Sequence, residues 1–398
     1  MSQRETSLRT VLSPFILLCI LGGLAIFSTT MSKNPALPLF VRSLGVSKGT
    51  VGFVAAASTV VGILISVPAG ILSDLYGRKR VLLSGAFVFA TAPFLYLLVR
   101  TPWQLVAVRM YHGLATAILG PVALAAVADT FEVRRGENMA WYSSATMVGR
   151  FLAPSVGGLL IVGQDFRWVY LGCGVAGVLT MLLAIYLPLP QHGRLDVPRP
   201  RLQDSWRRLL DETSYVAQHS GILVTSLVQA VQYFAFGFLE VYLPLRLIDF
   251  GWKAVEIGPL FTVQVLATAL TKPIMGRLTD RLGRVALIAG GLITGAAGVM
   301  LISLVNGYVL LLVSSGLFGM GLAAVTAATA ALVSDLAREN SYGAAMGVLS
   351  SIMDVGQSTG PMLGGMVVGA LGYAPAFAGV AVLLAATAAV FPVVVRTR

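Results

Sequence analysis

The chain has 398 residues, 57% of them hydrophobic and only 11% charged, where a soluble domain carries about 25% charged residues. A mean hydropathy of +0.84, with apolar runs near the roughly 20 residues that cross a bilayer, excludes an ordinary soluble globule and predicts a polytopic membrane protein. The net charge of +11 would suggest nucleic acid in a soluble chain; here basic loops on one side of a membrane account for it, and no nucleic-acid partner is expected.

The first apolar run, from about Pro14 to Phe40, is too long for a signal-peptide core and lacks a small-residue cleavage site, so it reads as a retained span. Further runs follow near 49–72, 81–99, 103–128, 139–163 and 168–189, then near 219–246, 255–276, 285–305, 307–334, 342–369 and 374–395. The predicted fold class is all-α, with twelve transmembrane helices. Residues 190–218 form the one long polar stretch, rich in Pro and Arg at its start, with room for a short amphipathic helix around Trp206. It divides the chain into an N-terminal six-helix unit (1–189), a cytoplasmic linker (190–218) and a C-terminal six-helix unit (219–398).

With the N-terminus inside, the cytoplasmic loops and tails hold 18 of the 28 Lys and Arg. The outer loops hold six: Arg42, Lys48, Arg100, Arg167, Arg246 and Lys253. This bias predicts cytoplasmic termini. Short loops and compact size favour a monomer in a prokaryotic inner membrane, in contact with membrane lipid. Cys19 and Cys173 both lie inside apolar runs without CxxC or framework spacing, so neither a disulfide nor a metal site is expected. There is no G-x-x-x-x-G-K-[ST] loop and no H-E-x-x-H, and the three histidines are scattered. An enzyme, a nucleotide-driven pump and a bound cofactor are therefore not expected.

Two charged phrases stand out in the apolar chain, "GILSDLYGRKR" from Gly70 and "GRLTDRLGR" from Gly276. Both fit G-x-L-x-D-x-x-G-R, and Asp74 and Asp280 are 206 residues apart. The same offset relates Pro38 to Pro244, Gly45 to Gly251 and Asp129 to Asp335, while Pro154 maps to Pro361 at 207. Six spans return the chain to the side where it began, so the two copies are parallel six-helix bundles. Such repeats imply a path between the halves, opened alternately to each side.

These motifs resemble those of major facilitator superfamily transporters, over the whole chain. The G-x-L-x-D-x-x-G-R loop after the second span is similar to that superfamily's most diagnostic signature. Arg109-Met110-Tyr111-His112-Gly113 matches a second, R-x-x-x-G in the fourth span. A third, G-P-x-x-G-G, is typical of the drug–proton antiporter branches. In the fifth span it reads Ala153-Pro154-Ser155-Val156-Gly157-Gly158, with alanine for the first glycine; in the eleventh it is intact as Gly360-Pro361-Met362-Leu363-Gly364-Gly365.

The resemblance assigns Gly70, Asp74, Gly77 and Arg78, with Gly276, Asp280, Gly283 and Arg284, to a conformational latch at the cytoplasmic mouth. Asp74 would accept hydrogen bonds from the start of the eleventh span, where Asn340 or Ser341 is a plausible cap. Asp129 and Asp335 are read as structural loop residues. Proline removes a backbone bond and small residues admit close packing, so 153–158 and 360–365 are expected to be poor continuous helix and tight contacts. The resemblance makes Pro154, Gly157, Gly158, Gly360, Pro361, Gly364 and Gly365 a seal against leak.

Charges inside a bilayer cost about 2.5–3.5 kcal/mol each on insertion scales. They are Lys33, Arg109, Arg150, Glu240, Lys272 and Asp354, so only two are acids. Lys33, Arg109 and Glu240 fall in the outer half of their spans, and Asn34 holds the repeat position of Glu240. The superfamily's cavity-lining order (spans one, four, seven and ten) would let them face one another. A desolvated carboxylate near cations has a proton affinity that its surroundings can move across neutrality. Glu240, Asp354 and Arg109 are therefore the proton-coupling candidates, with static ion pairs between helices as the alternative. Cavity candidates are Lys33, Asn34, Tyr111, His112, Arg150, Gln229, Gln232, Tyr233, Phe236, Tyr242 and Lys272.

The expected function is a secondary transporter of a small-molecule substrate with protons. Proton-coupled efflux of hydrophobic or amphipathic compounds, including drugs, leads. A sugar or organic-anion transporter and a lipid flippase are alternatives, the anionic ones favoured by four intramembrane cations against two acids. A non-transporting receptor on the same fold is the other class.

Overall fold

The computed structural model describes residues 13–130, 135–163, 165–189, 218–337 and 342–396. The amphipathic helix expected around Trp206 and the caps Asn340 and Ser341 lie outside them. In lipid every backbone N–H and C=O must be satisfied within the segment, which favours helix, and the described residues form thirteen α-helices. These are α1 Pro14–Lys33, α2 Ala36–Ser43, α3 Lys48–Tyr76, α4 Arg78–Tyr96, α5 Pro102–Thr130, α6 Arg135–Leu160 and α7 Arg167–Tyr186. After the linker come α8 Ser220–Asp249, α9 Ala254–Leu282, α10 Arg284–Leu304, α11 Tyr308–Leu336, α12 Tyr342–Leu371 and α13 Tyr373–Arg396. Nine segments among the described residues are long and apolar enough to cross a membrane, α1 and α2 counting together as one.

Local chemistry sets several ends. The Ser13 hydroxyl accepts from the Ile16 N–H at 3.3 Å, with Pro14 at the first helical position. Glu256 folds back to accept from the Lys253 N–H at 2.7 Å. Gly77 separates α3 from α4 at φ 94°, and Gly283 separates α9 from α10 at φ 86°. That region is open to glycine at little cost.

Two breaks differ from expectation. Helix α6 runs unbroken through Pro154 and α12 through Pro361; neighbouring helices in a bundle support a backbone that has lost one bond to proline. The interruption falls instead in the first span, where Asn34 leaves helical geometry at φ −119°, ψ 122°. The residue before a proline is pushed out of the α region, and Pro35 follows. That break puts the Asn34 side chain at a helix end in mid-span.

The packing obeys the repeat. In the first bundle α1 lies against α6 and α7, α4 against α5 and α7, and α3 against α5. In the second, α8 lies against α12 and α13, α10 against α11 and α13, and α9 against α11. The bundles join where α3 meets α12, α6 meets α9 and α2 meets α8. An apolar core runs through this junction, from Met31 and Leu39 to Phe238, Tyr242 and Phe377. The fold is that of two parallel-related helical bundles.

Candidate functional site

Glu240 sits at the junction with a carboxylate held from both bundles. Asn34 Nδ2 donates to Oε1 at 2.9 Å, and Gln357 Nε2, from α12, donates to Oε2 at 3.1 Å. They line a cleft of about 370 Å³, open to solvent, together with Lys33, Arg109, Gly237 and Pro361. Gln357 escaped the sequence reading because it lies between the Asp354 and G-P-x-x-G-G signals and carries no charge.

The other intramembrane charges gather around Lys33, which lies within electrostatic reach of Glu240, Arg109, Arg150 and Asp354. Lys33 forms no ion pair within 4.0 Å among the described residues, nor does Arg109, Arg150 or Asp354. Arg109 is 2% exposed; it donates to the Ala55 carbonyl at 2.9 Å and to the Ser58 hydroxyl. Tyr233 borders the same charges and packs edge-on against Phe236 at 5.7 Å. Lys272 is exposed and interacts with Arg150.

Several cavity candidates are placed elsewhere. Gln229 accepts from the Thr329 hydroxyl inside the second bundle, and Gln232 is fully buried there against Gly295. Tyr111 shares a hydrogen bond of 2.9 Å with Thr91 of α4. His112 is buried, its Nδ1 3.2 Å from the Tyr96 hydroxyl, and Tyr96 stacks on Tyr170. Tyr242 joins the bundles: its hydroxyl donates to the Lys48 and Pro361 carbonyls, both at 3.1 Å.

The two proline–glycine elements pack in matched fashion on the opposite bundle. A Cβ on Gly52 would come 1.8 Å from the Pro361 carbonyl oxygen, and one on Gly258 would come 2.4 Å from that of Pro154. Gly158 abuts Ala254, and Gly365 abuts Gly49. Gly364 packs on Phe238, Gly360 on Phe234 and Gly157 on Met31, each within its own bundle. All of these cross-bundle contacts use the helix halves remote from the G-x-L-x-D-x-x-G-R loops. At that remote end Asp249 takes Arg42 and Lys48 of the first bundle, the latter at 2.6 Å, and the Tyr373 hydroxyl at 3.0 Å. The charge pattern of the sequence marks Arg42 and Lys48 only as outer-loop residues.

At the motif end, Arg78 pairs with Asp74 and holds Asp129 at 2.8 Å. Arg284 pairs with Asp280 at 2.5 Å and Asp335 at 3.0 Å. Asp129 and Asp335 thus complete the two motifs, each within its own bundle. Asp74 is 53% and Asp280 70% exposed. A Cβ on Gly70 or Gly276 would meet nothing within 4 Å.

The family model described as Major Facilitator Superfamily matches residues 18–224 and again 225–398. Among curated proteins, Multidrug resistance protein 1 of Bacillus subtilis is 24% identical over 336 residues, covering 83% of this chain and 84% of that protein. Quinolone resistance protein NorA of Staphylococcus aureus is 22% identical over 360 residues, covering 88% and 89%. Among solved structures, the D323A mutant of the nucleoside transporter NupG superposes with a TM-score of 0.82 at 15% identity, covering 96% of this chain and 99% of that one. A bacterial homolog of the human lysosomal transporter Spinster superposes with a TM-score of 0.77 at 16% identity, covering 96% of each.

Proposed function

The chain belongs to the Major Facilitator Superfamily, and on that premise we propose that it is a proton-coupled exporter of hydrophobic or amphipathic compounds, drugs among them, working by rocker-switch alternating access. As a member of that family it is a multi-pass membrane transporter of small molecules rather than an enzyme. Residues 1–189 and 219–398 are the two moving units, tethered by 190–218. The Lys and Arg bias puts both termini and the motif loops in the cytoplasm, so the cleft faces inward in this conformation.

The observation that carries the reading is Glu240, a carboxylate at the junction of the bundles with an amide donor from each. Ionised, it accepts from both Asn34 and Gln357. Protonated, its hydroxyl becomes a donor, so an amide must turn its carbonyl inward or give up the bond. The Asn34 bond crosses between bundles, so gain or loss of one proton changes an inter-bundle contact. A transporter couples a proton to rocking through such a differential contact. Asp354, near Lys33, is the second acid within reach of the same charges. The multidrug and quinolone resistance names of the two relatives support efflux, while unpaired Lys33 and Arg109 in the cleft favour substrates that carry negative charge.

Proton flux into proteoliposomes across a substrate panel tests this. Substrate-driven proton movement is expected in the wild type and absent in Glu240→Gln, with substrate counterflow retained. Intact coupling in that variant would move the proton site to Asp354; no flux with any substrate would overturn proton-coupled transport itself.

A further inference from the structure

A second, smaller cavity of about 170 Å³ lies inside the first bundle, between α1, α3 and α5. Thr29, Lys33, Ser58, Arg109 and His112 line it. Arg109 and Lys33 also border the cleft of Glu240, so the two spaces share a wall.

Three of its polar atoms are buried without a hydrogen-bond partner: Thr29 Oγ1, Arg109 Nε and His112 Nε2. Their residues are 9%, 2% and 3% exposed. All three can donate. Arg109 Nε can do nothing else. The His112 Nδ1 lies 3.2 Å from the Tyr96 hydroxyl, and in the tautomer in which that hydroxyl donates, the ring proton sits on Nε2 and is aimed into the cavity. The Thr29 hydroxyl proton is free. The lining includes two cations and no Asp or Glu. A buried cation without a counter-charge is costly, and an orphaned buried donor costs about 1–3 kcal/mol.

We propose that this cavity binds one small inorganic anion of the halide class, independently of the exported substrate. Size argues for an ion over a substrate: the space is smaller than the Glu240 cleft and admits about one water-sized particle. Chemistry argues for an ion over water, because Arg109 Nε can only donate and two positive charges with no acid in the lining ask for a negative one. The charge balance agrees in sign: the intramembrane cations Lys33, Arg109, Arg150 and Lys272 outnumber the acids Glu240 and Asp354. Because Arg109 borders both spaces, occupancy would fix the guanidinium that faces the Glu240 cleft.

The test is the melting temperature of the purified protein as sodium chloride or bromide replaces sodium gluconate at constant ionic strength and pH. A saturable rise with either halide is expected, and Thr29→Val, which keeps shape and removes one donor, should weaken halide affinity about tenfold. A bromide soak of wild-type crystals gives a readout that needs no variant, with an anomalous peak expected beside Arg109 and His112. Indifference to halide, a rise that Thr29→Val leaves unchanged, or density that refines as water alone would each overturn the proposal.

Discussion

Asn34 and Glu240, 206 residues apart and at the same position of the internal repeat, are joined by a hydrogen bond of 2.9 Å. Equivalent points of two repeats touch only beside the axis that relates them, so this pair marks the centre about which the bundles are arranged. Asn34→Asp would place a second carboxylate there. Two unit charges about 4 Å apart repel by roughly 1–4 kcal/mol across the effective dielectrics of a protein surface and water. The variant is expected to lose at least five-fold in substrate-driven proton flux, whereas Asn34→Gln, which keeps an amide, should retain more. Equal losses would show that the site needs the length of the side chain rather than its charge.

The matched contacts of Gly52 on Pro361 and Gly258 on Pro154 leave no room for a methyl group on either side. Both partners are backbone carbonyls on another helix, which cannot swing aside as a side chain does. Gly52→Ala and Gly258→Ala should each prevent this junction from closing and reduce transport at least ten-fold. Gly62→Ala, on the same helix as Gly52 with nothing within 4 Å of the new methyl, should transport normally. A Gly52→Ala protein with wild-type counterflow would show that the contact is not used in the cycle.

The repeat, the twelve hydrophobic runs and the motif loops were legible because each is written in residue type and spacing. The 206 register pairs Asn34 with Glu240 from spacing alone. What escaped was whatever depends on which faces meet. Gln229 lies eleven residues from Glu240 on α8, within about 20° of the same face, but three turns along that face meets Thr329 of α11 rather than the first bundle; the eight residues to Gln232 turn it about 80° away, toward Gly295. Proline in "APSVGG" and "GPMLGG" signals a break, but bundle packing keeps those helices continuous, while Pro35 breaks the first span without a motif to announce it. Asp249 carried no signal either: its partners are 124 to 207 residues away in sequence and come together only through the fold.

Asp249 is the single acid clasped by Arg42, Lys48 and Tyr373 at the end remote from the motif loops. It is 20% exposed, with Arg42 38% and Lys48 47% exposed, so solvent screens both pairs. Exposed pairs contribute about 0.2–1 kcal/mol each, which makes the two pairs of the clasp worth roughly 0.4–2 kcal/mol. Asp249→Asn should raise the population open at this end by roughly two- to thirty-fold. Spin labels on the remote ends of α3 and α12 would report it as growth of a longer-distance component. An unchanged distance distribution would remove the clasp from the gating energetics.

The two motif copies build the same triad, Arg78 with Asp74 and Asp129, and Arg284 with Asp280 and Asp335, but the first is tied down more firmly. Arg78 also donates to the Ser73 hydroxyl, and Lys79 reaches the Ile185 carbonyl of α7 at 3.0 Å. In the second copy the position of Ser73 is Thr279, whose buried hydroxyl has no partner, and Val285 stands in place of Lys79. Loss of Asp74 therefore removes a tie from the loop that is held in one geometry, whereas loss of Asp280 acts on a loop already less constrained. If the grip and release of this mouth depends on a loop held in one geometry, the first copy should carry more of it. Asp74→Asn is expected to lower transport several-fold more than Asp280→Asn, and Arg78→Ala more than Arg284→Ala, at matched expression in the same vesicle assay. Equal effects of the two pairs would mean that the shared triad, rather than the extra bonds of the first copy, sets the contribution of each loop.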